Sequence, residues 1–134
     1  MGKFVIKKTP TGKFNFSLFA DNNTKIATSS QVYASKQSCK VGMESVGKNA
    51  EKCIAEGRIE DSTLQKGHDP ISYPKFEIYL DKAGLFRYRL FAPNGENVAI
   101  SEEGYKTKEG CKIGMKSVSV NALSAIVVDE SLKK

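Results

Sequence analysis

Histidine is nearly missing from this chain of 134 residues: it occurs once, as His68. Cysteine is scarce, with Cys39, Cys53 and Cys111 the only three, and no two of them form a C-x-x-C. One histidine without a cysteine pair cannot build a closed zinc site, and the missing C-x-x-C removes zinc-ribbon and thioredoxin-type chemistry. An odd cysteine count with no leader-like apolar run at the N-terminus argues against a disulfide framework. No stretch approaches the roughly 18 apolar residues of a membrane span, so no membrane association is expected and the chain reads as cytoplasmic. No glycine-rich phosphate loop is present either: Gly42 and Gly47 fall in or near a helical pattern. No catalytic constellation, metal site or cofactor site is therefore expected.

The chain carries 21 Lys and Arg against 15 Asp and Glu, for a net charge of +6. That charge is spread over both halves rather than gathered in a basic arm. It permits an anionic partner without requiring one.

What the sequence does have is a repeat. Shifting the chain by 72 positions aligns Lys3–Ala50 with Lys75–Ala122 without a gap, and 21 of the 48 positions are identical. Lys3-Phe4 falls on Lys75-Phe76, Leu18-Phe19-Ala20 on Leu90-Phe91-Ala92, Tyr33 on Tyr105, and Gly42-Met43 on Gly114-Met115. A fixed period of this kind marks a repeated structural unit. The register slips after Ala50. Residues 66–74, with a glycine and two prolines, have no counterpart and read as a linker. The expected organisation is one domain over 1–134: repeat one 1–65, linker 66–74, repeat two 75–134.

Within a repeat, Phe4 and Ile6 alternate with polar neighbours at strand period, and so do Phe14, Phe16 and Leu18. Gly12 and Gly84 sit in turns that call for a positive φ. Asn22-Asn23 and Asn94-Gly95 carry the hairpin signature before a third strand near Lys25–Ser29 and Asn97–Ser101. The period then becomes helical. Ser35 and Thr107 are good N-caps, and Cys39, Gly42, Met43 and Val46 recur on one face, as do their counterparts at 111, 114, 115 and 118. Asn49 and Asn121 are expected to close the helices. A last strand is expected at Ala125–Val128, with a less apolar equivalent near Arg58–Asp61. The fold class is α+β: two tandem β-β-β-α-β repeats sharing one mainly antiparallel sheet, two helices packed on one face, pseudo-twofold symmetric.

The Phe-x-Ile opening, the Asn-Asn or Asn-Gly turn, the Tyr-x-Ser/Thr-Lys entry to the helix and the Gly-Met-x-Ser-Val-x-x-Asn-Ala exit together resemble the YegP-like family over nearly the whole chain. The resemblance implies repeated units on one sheet with their C-terminal strands exchanged between halves. It also implies that single-copy relatives form the same unit as dimers. It implies no biochemical activity.

Candidate chemistry is sparse. His68, in the linker, reads as a solvated histidine. Cys39 and Cys111 read as small buried groups and Cys53 as more exposed. Glu60-Asp61 and Asp129-Glu130 are adjacent in sequence, so strand alternation points the members of each pair to opposite faces. The sheet face away from the helices is the better candidate. Alternation places Lys3, Val5, Lys7, Lys13, Asn15 and Ser17 there, and in the second repeat Lys75, Glu77, Tyr79, Arg87, Arg89 and Phe91. A two-residue hairpin loop would add Ile26, Val98 and Ile100. Lys75, Tyr79, Arg87, Arg89 and Phe91 are the candidate partner-binding residues. A basic sheet with an accessible aromatic resembles single-strand binding platforms, whereas Glu77 pairing with an arginine would make the same face merely solvated. Three functions compete. A non-enzymatic interaction or accessory module with an unknown protein partner comes first. A weak nucleic-acid binder using the sheet face comes second. An enzyme or small-molecule binder comes third and would need a deep pocket. Because two repeats complete one core, a monomer is expected.

Overall fold

A computed structural model describes residues 2–63, 71–123 and 125–130. His68 and most of the expected linker lie outside the described residues. In chain order the elements are β1 (Lys3–Lys8), β2 (Phe14–Phe19), β3 (Lys25–Thr28), α1 (Lys36–Glu56), β4 (Ile59–Asp61), β5 (Lys75–Leu80), β6 (Phe86–Phe91), β7 (Asn97–Ser101), α2 (Lys108–Ala122) and β8 (Ile126–Asp129). They form the α+β fold that the repeat predicts. Every strand joins one eight-stranded sheet in the order β4-β5-β6-β7-β3-β2-β1-β8.

The apolar alternation does what its period demands. Ile6, Phe16 and Leu18 are fully buried together with their counterparts Ile78, Tyr88 and Leu90, in one cluster with Cys39, Met43, Val46, Cys111, Met115 and Val118 from the helices. Glycines at 12 and 84 take φ +82° in their turns, where a side chain would be strained. The helices start where the caps predict. Ser35 Oγ accepts the Ser38 amide and Thr107 Oγ1 accepts the Gly110 amide, each satisfying one orphan donor of the first turn.

Two expectations about local structure are corrected. Asn49 and Asn121 do not end the helices. Both lie inside them, buried, donating their amides to the carbonyls of Ser45 and Ser117 four residues back. α1 runs on to Glu56 and is closed by Gly57 in the left-handed conformation, φ 67°. Ile26 and Val98 do not join the open face. The hairpin turn holds three residues rather than two, since the Ala20 amide donates to the Thr24 carbonyl. The register then shifts between Leu18 and Phe19, and again between Leu90 and Phe91. Such a bulge gives one strand an extra residue and re-aims its side chain. Ile26 and Val98 are those extra residues, and both belong to the core. Ile100 remains on the open face, opposite Arg89.

The last strand of each repeat crosses to the other. β4 pairs parallel with β5, the first strand of the second repeat, and β8 pairs parallel with β1. The end of each crossing strand is tied to the helix of the repeat it joins: Asp61 to Lys108 at 2.7 Å and Asp129 to Lys36 at 2.8 Å. At the seam, β3 and β7 pair antiparallel, and Tyr88 donates its hydroxyl to the Ile26 carbonyl across it at 2.7 Å.

Gly42 and Gly114 have a tertiary cause. Tyr33 and Tyr105 are pinned by backbone bonds to Phe14 and Phe86 and stack on Phe16 and Tyr88. Their rings lie on the helices at these glycines. An added Cβ would come within 2.8 Å of Tyr33 Cζ at Gly42 and 2.9 Å of Tyr105 Cζ at Gly114.

Two outcomes follow from this architecture. A fragment spanning Tyr73–Lys134 lacks a β4 for its β5 and a β1 for its β8; it is expected to run as a dimer in light scattering, each chain lending β8 to the other's β5. A well-folded monomer of that fragment would contradict the exchange. Gly42→Ala is expected to destabilise by about 1–3 kcal/mol through overpacking, although alanine is intrinsically favoured over glycine in a helix by about 1 kcal/mol. Adding Tyr33→Phe removes the clashing oxygen. A double-mutant cycle by denaturant unfolding should then show a positive recovery rather than additivity.

Candidate functional site

The five candidate residues do come together on the sheet face opposite the helices. β5 and β6 pair antiparallel with Lys75 opposite Phe91, Glu77 opposite Arg89 and Tyr79 opposite Arg87. Directly opposed residues share a face, so one patch holds all of them. Its geometry is that of a knitted surface. Arg89 donates Nε to Glu77 Oε1 and lays its guanidinium over the Tyr79 ring, 4.3 Å from the centroid. Arg87 donates Nε to Asp81 Oδ2 at 2.7 Å. The hydrogen bond from Arg87, helped by the Leu85 and Ala83 amides, holds the Asp81 carboxyl below its ordinary range, and the same contact with Asp81 raises the Arg87 guanidinium. The two arginine side chains keep 31% and 36% of their exposure, enough to be reached from solvent.

Lys75 behaves differently. It is buried, and its ammonium meets Glu60 Oε1 at 2.8 Å. The charge sits near two aromatic rings, 5.0 Å from the Tyr73 centroid and 5.8 Å from that of Phe91. Glu60 also accepts the Ile71 amide. Lys75 and Phe91, paired at one end of β5 and β6, thus support the patch, while Tyr79, Arg87 and Arg89 present it. Tyr73 was not legible as part of the site. It lies in the expected linker, where composition signals only a turn, and tertiary contact with Phe91 and Gly95 places it.

The two halves of the face differ. The positions of Glu77, Arg87 and Arg89 are held in the first repeat by Val5, Asn15 and Ser17. Val5 is buried, with Val128 and Ser17 opposite it, so it does not stand open as alternation alone suggests. Lys3 rests over the Phe19 ring at 5.3 Å. The arginine pairs, Glu77–Arg89 and Asp81–Arg87, belong to the second repeat alone.

The acidic pairs split as strand geometry requires. Glu60 faces Lys75, and Asp61 faces Lys108 on the helix side. Burial pushes the Asp61 carboxyl up, but hydrogen bonds from Lys108 and Thr63 outweigh it and leave the group below its ordinary value. Asp61 is therefore not poised as a general acid.

All three cysteines are free and fully buried. Cys53 is corrected in this: α1, at 21 residues against 15 in α2, carries it one further turn and sets it on Phe76, whose amide reaches its sulfur. Burial pushes the thiols of Cys39 and Cys53 up to about 11 and that of Cys111 to about 12. No helix among the described residues is long and apolar enough to cross a membrane.

Comparison with known proteins agrees with the repeat and the fold. The model of a domain of unknown function, DUF1508, matches residues 11–53 and 81–129, one segment in each repeat. A UPF0339 protein of Methanosarcina acetivorans is 50% identical over 54 residues, which is 40% of this chain but 91% of the relative; that relative is about one repeat long. The UPF0339 protein YegP of Yersinia pestis is 30% identical over 132 residues, 98% of each chain. The solution structure of the E. coli protein of unknown function yegP superposes with a TM-score of 0.75 at 28% identity, covering 99% of this chain and 96% of that one. With the family pattern present twice and the exchanged fold around it, the chain belongs to the DUF1508 (UPF0339, YegP-like) family.

Proposed function

We propose that the protein is a non-enzymatic interaction module of the cytoplasm, built as one domain from repeat one (1–65), a linker (66–74) and repeat two (75–134), and that its working surface is the open sheet face of the second repeat. The observation that carries this reading is the half-buried, solvent-accessible Tyr79–Arg89 stack beside Arg87. Tyrosine and arginine concentrate binding energy at protein interfaces because each combines a large flat contact area with directed hydrogen bonding. The counter-charges favour a protein partner over a polyphosphate. A phosphate would have to displace Glu77 from Arg89 and Asp81 from Arg87, whereas a protein surface can dock on the paired network as it stands. The thiols support the non-enzymatic part: a buried cysteine raised to about 11 or 12 holds almost no thiolate at neutral pH, and the thiolate is the nucleophile.

A second reading, weak binding of single strands, draws on the same stack, because a ring beside a guanidinium plane is a sequence-tolerant platform for a base.

The two readings separate in a capture experiment with and without nuclease. Protein capture that survives nuclease and is lost in a Tyr79→Ala, Arg89→Ala double variant is the expected result; capture indifferent to the variant would remove the face from the argument. For the second reading, affinity for single-stranded RNA should fall steeply with salt, and Arg87→Ala with Arg89→Ala should flatten the slope by about two phosphate contacts. The thiols have their own test. Their raised values mean the fold favours the neutral form, so their contribution to stability is complete below about pH 9 and is lost as pH rises through about 11, following proton linkage. The melting temperature should drop over that window, less so in Cys111→Ala, and a thiol reagent should label the native protein slowly and the unfolded protein at once. Rapid native labelling would show these cysteines to be reactive after all.

A further inference from the structure

Exchange of the last strands leaves the sheet with two outer edges, and they are unlike. At one end β4 is three residues long and carries Glu60 and Asp61, both ion-paired, with Arg58 just before it. Charge and short length are the usual protection of an edge against further pairing. At the other end β8 is Ile126-Val127-Val128-Asp129. Ile126 is 56% exposed and Val127 48%. The one acid, Asp129, is committed to Lys36. Among the described residues no strand pairs with the outer side of β8.

A groove adjoins this edge on the helix side. It holds about 310 Å³ and is walled by Phe4, Met43, Leu123 and Val127. Its origin is the asymmetry of the helices. Over Phe76, the counterpart of Phe4, the extra turn of α1 places Cys53. α2 stops at Ala122 with Leu123 as its cap, and the counterpart of Cys53 is the smaller Ala125, beyond the helix, which leaves the groove beside Phe4 open. Leu123 is left 55% exposed, and Val120, one turn before it, 61%.

We propose that β8 and this groove form a weak homodimer interface, the occupant being β8 of a second copy in antiparallel, twofold pairing. This rests on a surface separate from the sheet face discussed above and does not depend on its role. Three features of the edge favour a copy of itself. The first is backbone phase. The Ile126 amide donates inward to the Gly2 carbonyl, so alternation turns the amides of Val127 and Asp129 outward. Two outward-facing Val127 residues can then exchange both hydrogen bonds across a twofold axis. The second is side-chain match. Centred on Val127, the pairing sets Ile126 against Val128 of the second copy on the open face and Val127 against Val127 of the second copy in the groove. A register centred on Val128 would set Val127 against Asp129 of the second copy and Ile126 against Glu130 of the second copy, and one centred on Ile126 would leave Val128 outside the matched apolar pairs; centring on Val127 pairs all three apolar residues of β8 with one another. The third is charge. The rim that α1 gives the groove carries Lys40, Glu44 and Lys48, acid between two bases, so each copy offers the other both signs. A four-residue strand and one groove make a small interface, of the size class that associates weakly and reversibly.

The test uses the full chain in sedimentation equilibrium and amide exchange by NMR, from about 20 μM to about 1 mM. The expected result is a mass-average that climbs from one chain toward two. Over the same range the Val127 and Asp129 amides should slow by about tenfold or more, while the Ile126 and Val128 amides, already bonded to β1, stay unchanged. Val127→Lys should hold the mass at one chain throughout. Leu123→Lys, which leaves the strand itself intact, should do the same, and each variant's melting curve shows whether it has folded. A wild-type mass of one chain across the whole range would overturn the proposal. So would a dimer that survives both variants, or Val127 protection already complete at the lowest concentration, which would mean the edge is covered from within one chain.

Discussion

The structure depends on the parallel pairing of each repeat's last strand with the first strand of the other. Neither three-stranded unit with its single helix encloses its own core, because one helix covers a sheet of that width on one face only and leaves both strand edges open. Crossing over solves both problems at once. β4 completes the sheet beside β5, and β8 completes it beside β1. Asp61 and Asp129 then anchor each crossing strand on the first turn of the helix it meets, through Lys108 and Lys36. Lysine at the start of a helix sits badly with the helix dipole, and the carboxylate from the exchanged strand offsets that. The same contact therefore fixes strand position and neutralises a helix start, in both halves.

Inside that frame the repeats have diverged in opposite directions on their two surfaces. On the open face the second repeat carries the pairs Glu77–Arg89 and Asp81–Arg87, with Glu60 of the exchanged β4 on Lys75, while the first has Val5, Asn15 and Ser17 at the positions of Glu77, Arg87 and Arg89. On the helix side it is the first repeat that is longer, by an extra turn of α1 that carries Cys53 onto Phe76. A symmetric core thus supports two asymmetric surfaces. The core residues are tied to one another through the sheet, so the two copies match there; the surface residues answer only to their immediate neighbours.

The tyrosine–glycine contacts show how closely the layers are held. Tyr33 and Tyr105 precede the helices yet pack on them one turn in, and glycine is needed at 42 and 114 because a ring occupies the space a methyl would take. Seen along the chain these glycines look like a helix weakness. In the folded molecule they are where the loop that enters the helix is clamped against it, by rings already stacked on Phe16 and Tyr88.

The sequence by itself determined the repeat, the order of strands and helices, the two N-caps, the inward rows of Phe4, Ile6, Phe16 and Leu18 with their counterparts, and the shared face of Lys75, Tyr79, Arg87, Arg89 and Phe91. All of these follow from local periodicity, which backbone geometry translates directly into faces. Only the tertiary structure decided the rest. A bulge in each hairpin moved Ile26 and Val98 to the core, since register depends on the partner strand. The helix ended at Gly57 rather than Asn49 because the Asn49 amide found a carbonyl one turn back. Cys53 became buried because Phe76, distant in sequence, lies beneath it. Which cations stayed accessible was likewise settled in three dimensions: Lys75 was taken up by Glu60 and two rings, whereas Arg87 and Arg89 kept part of their surface. Charge is visible in a sequence, but the partner that neutralises it is chosen by the fold.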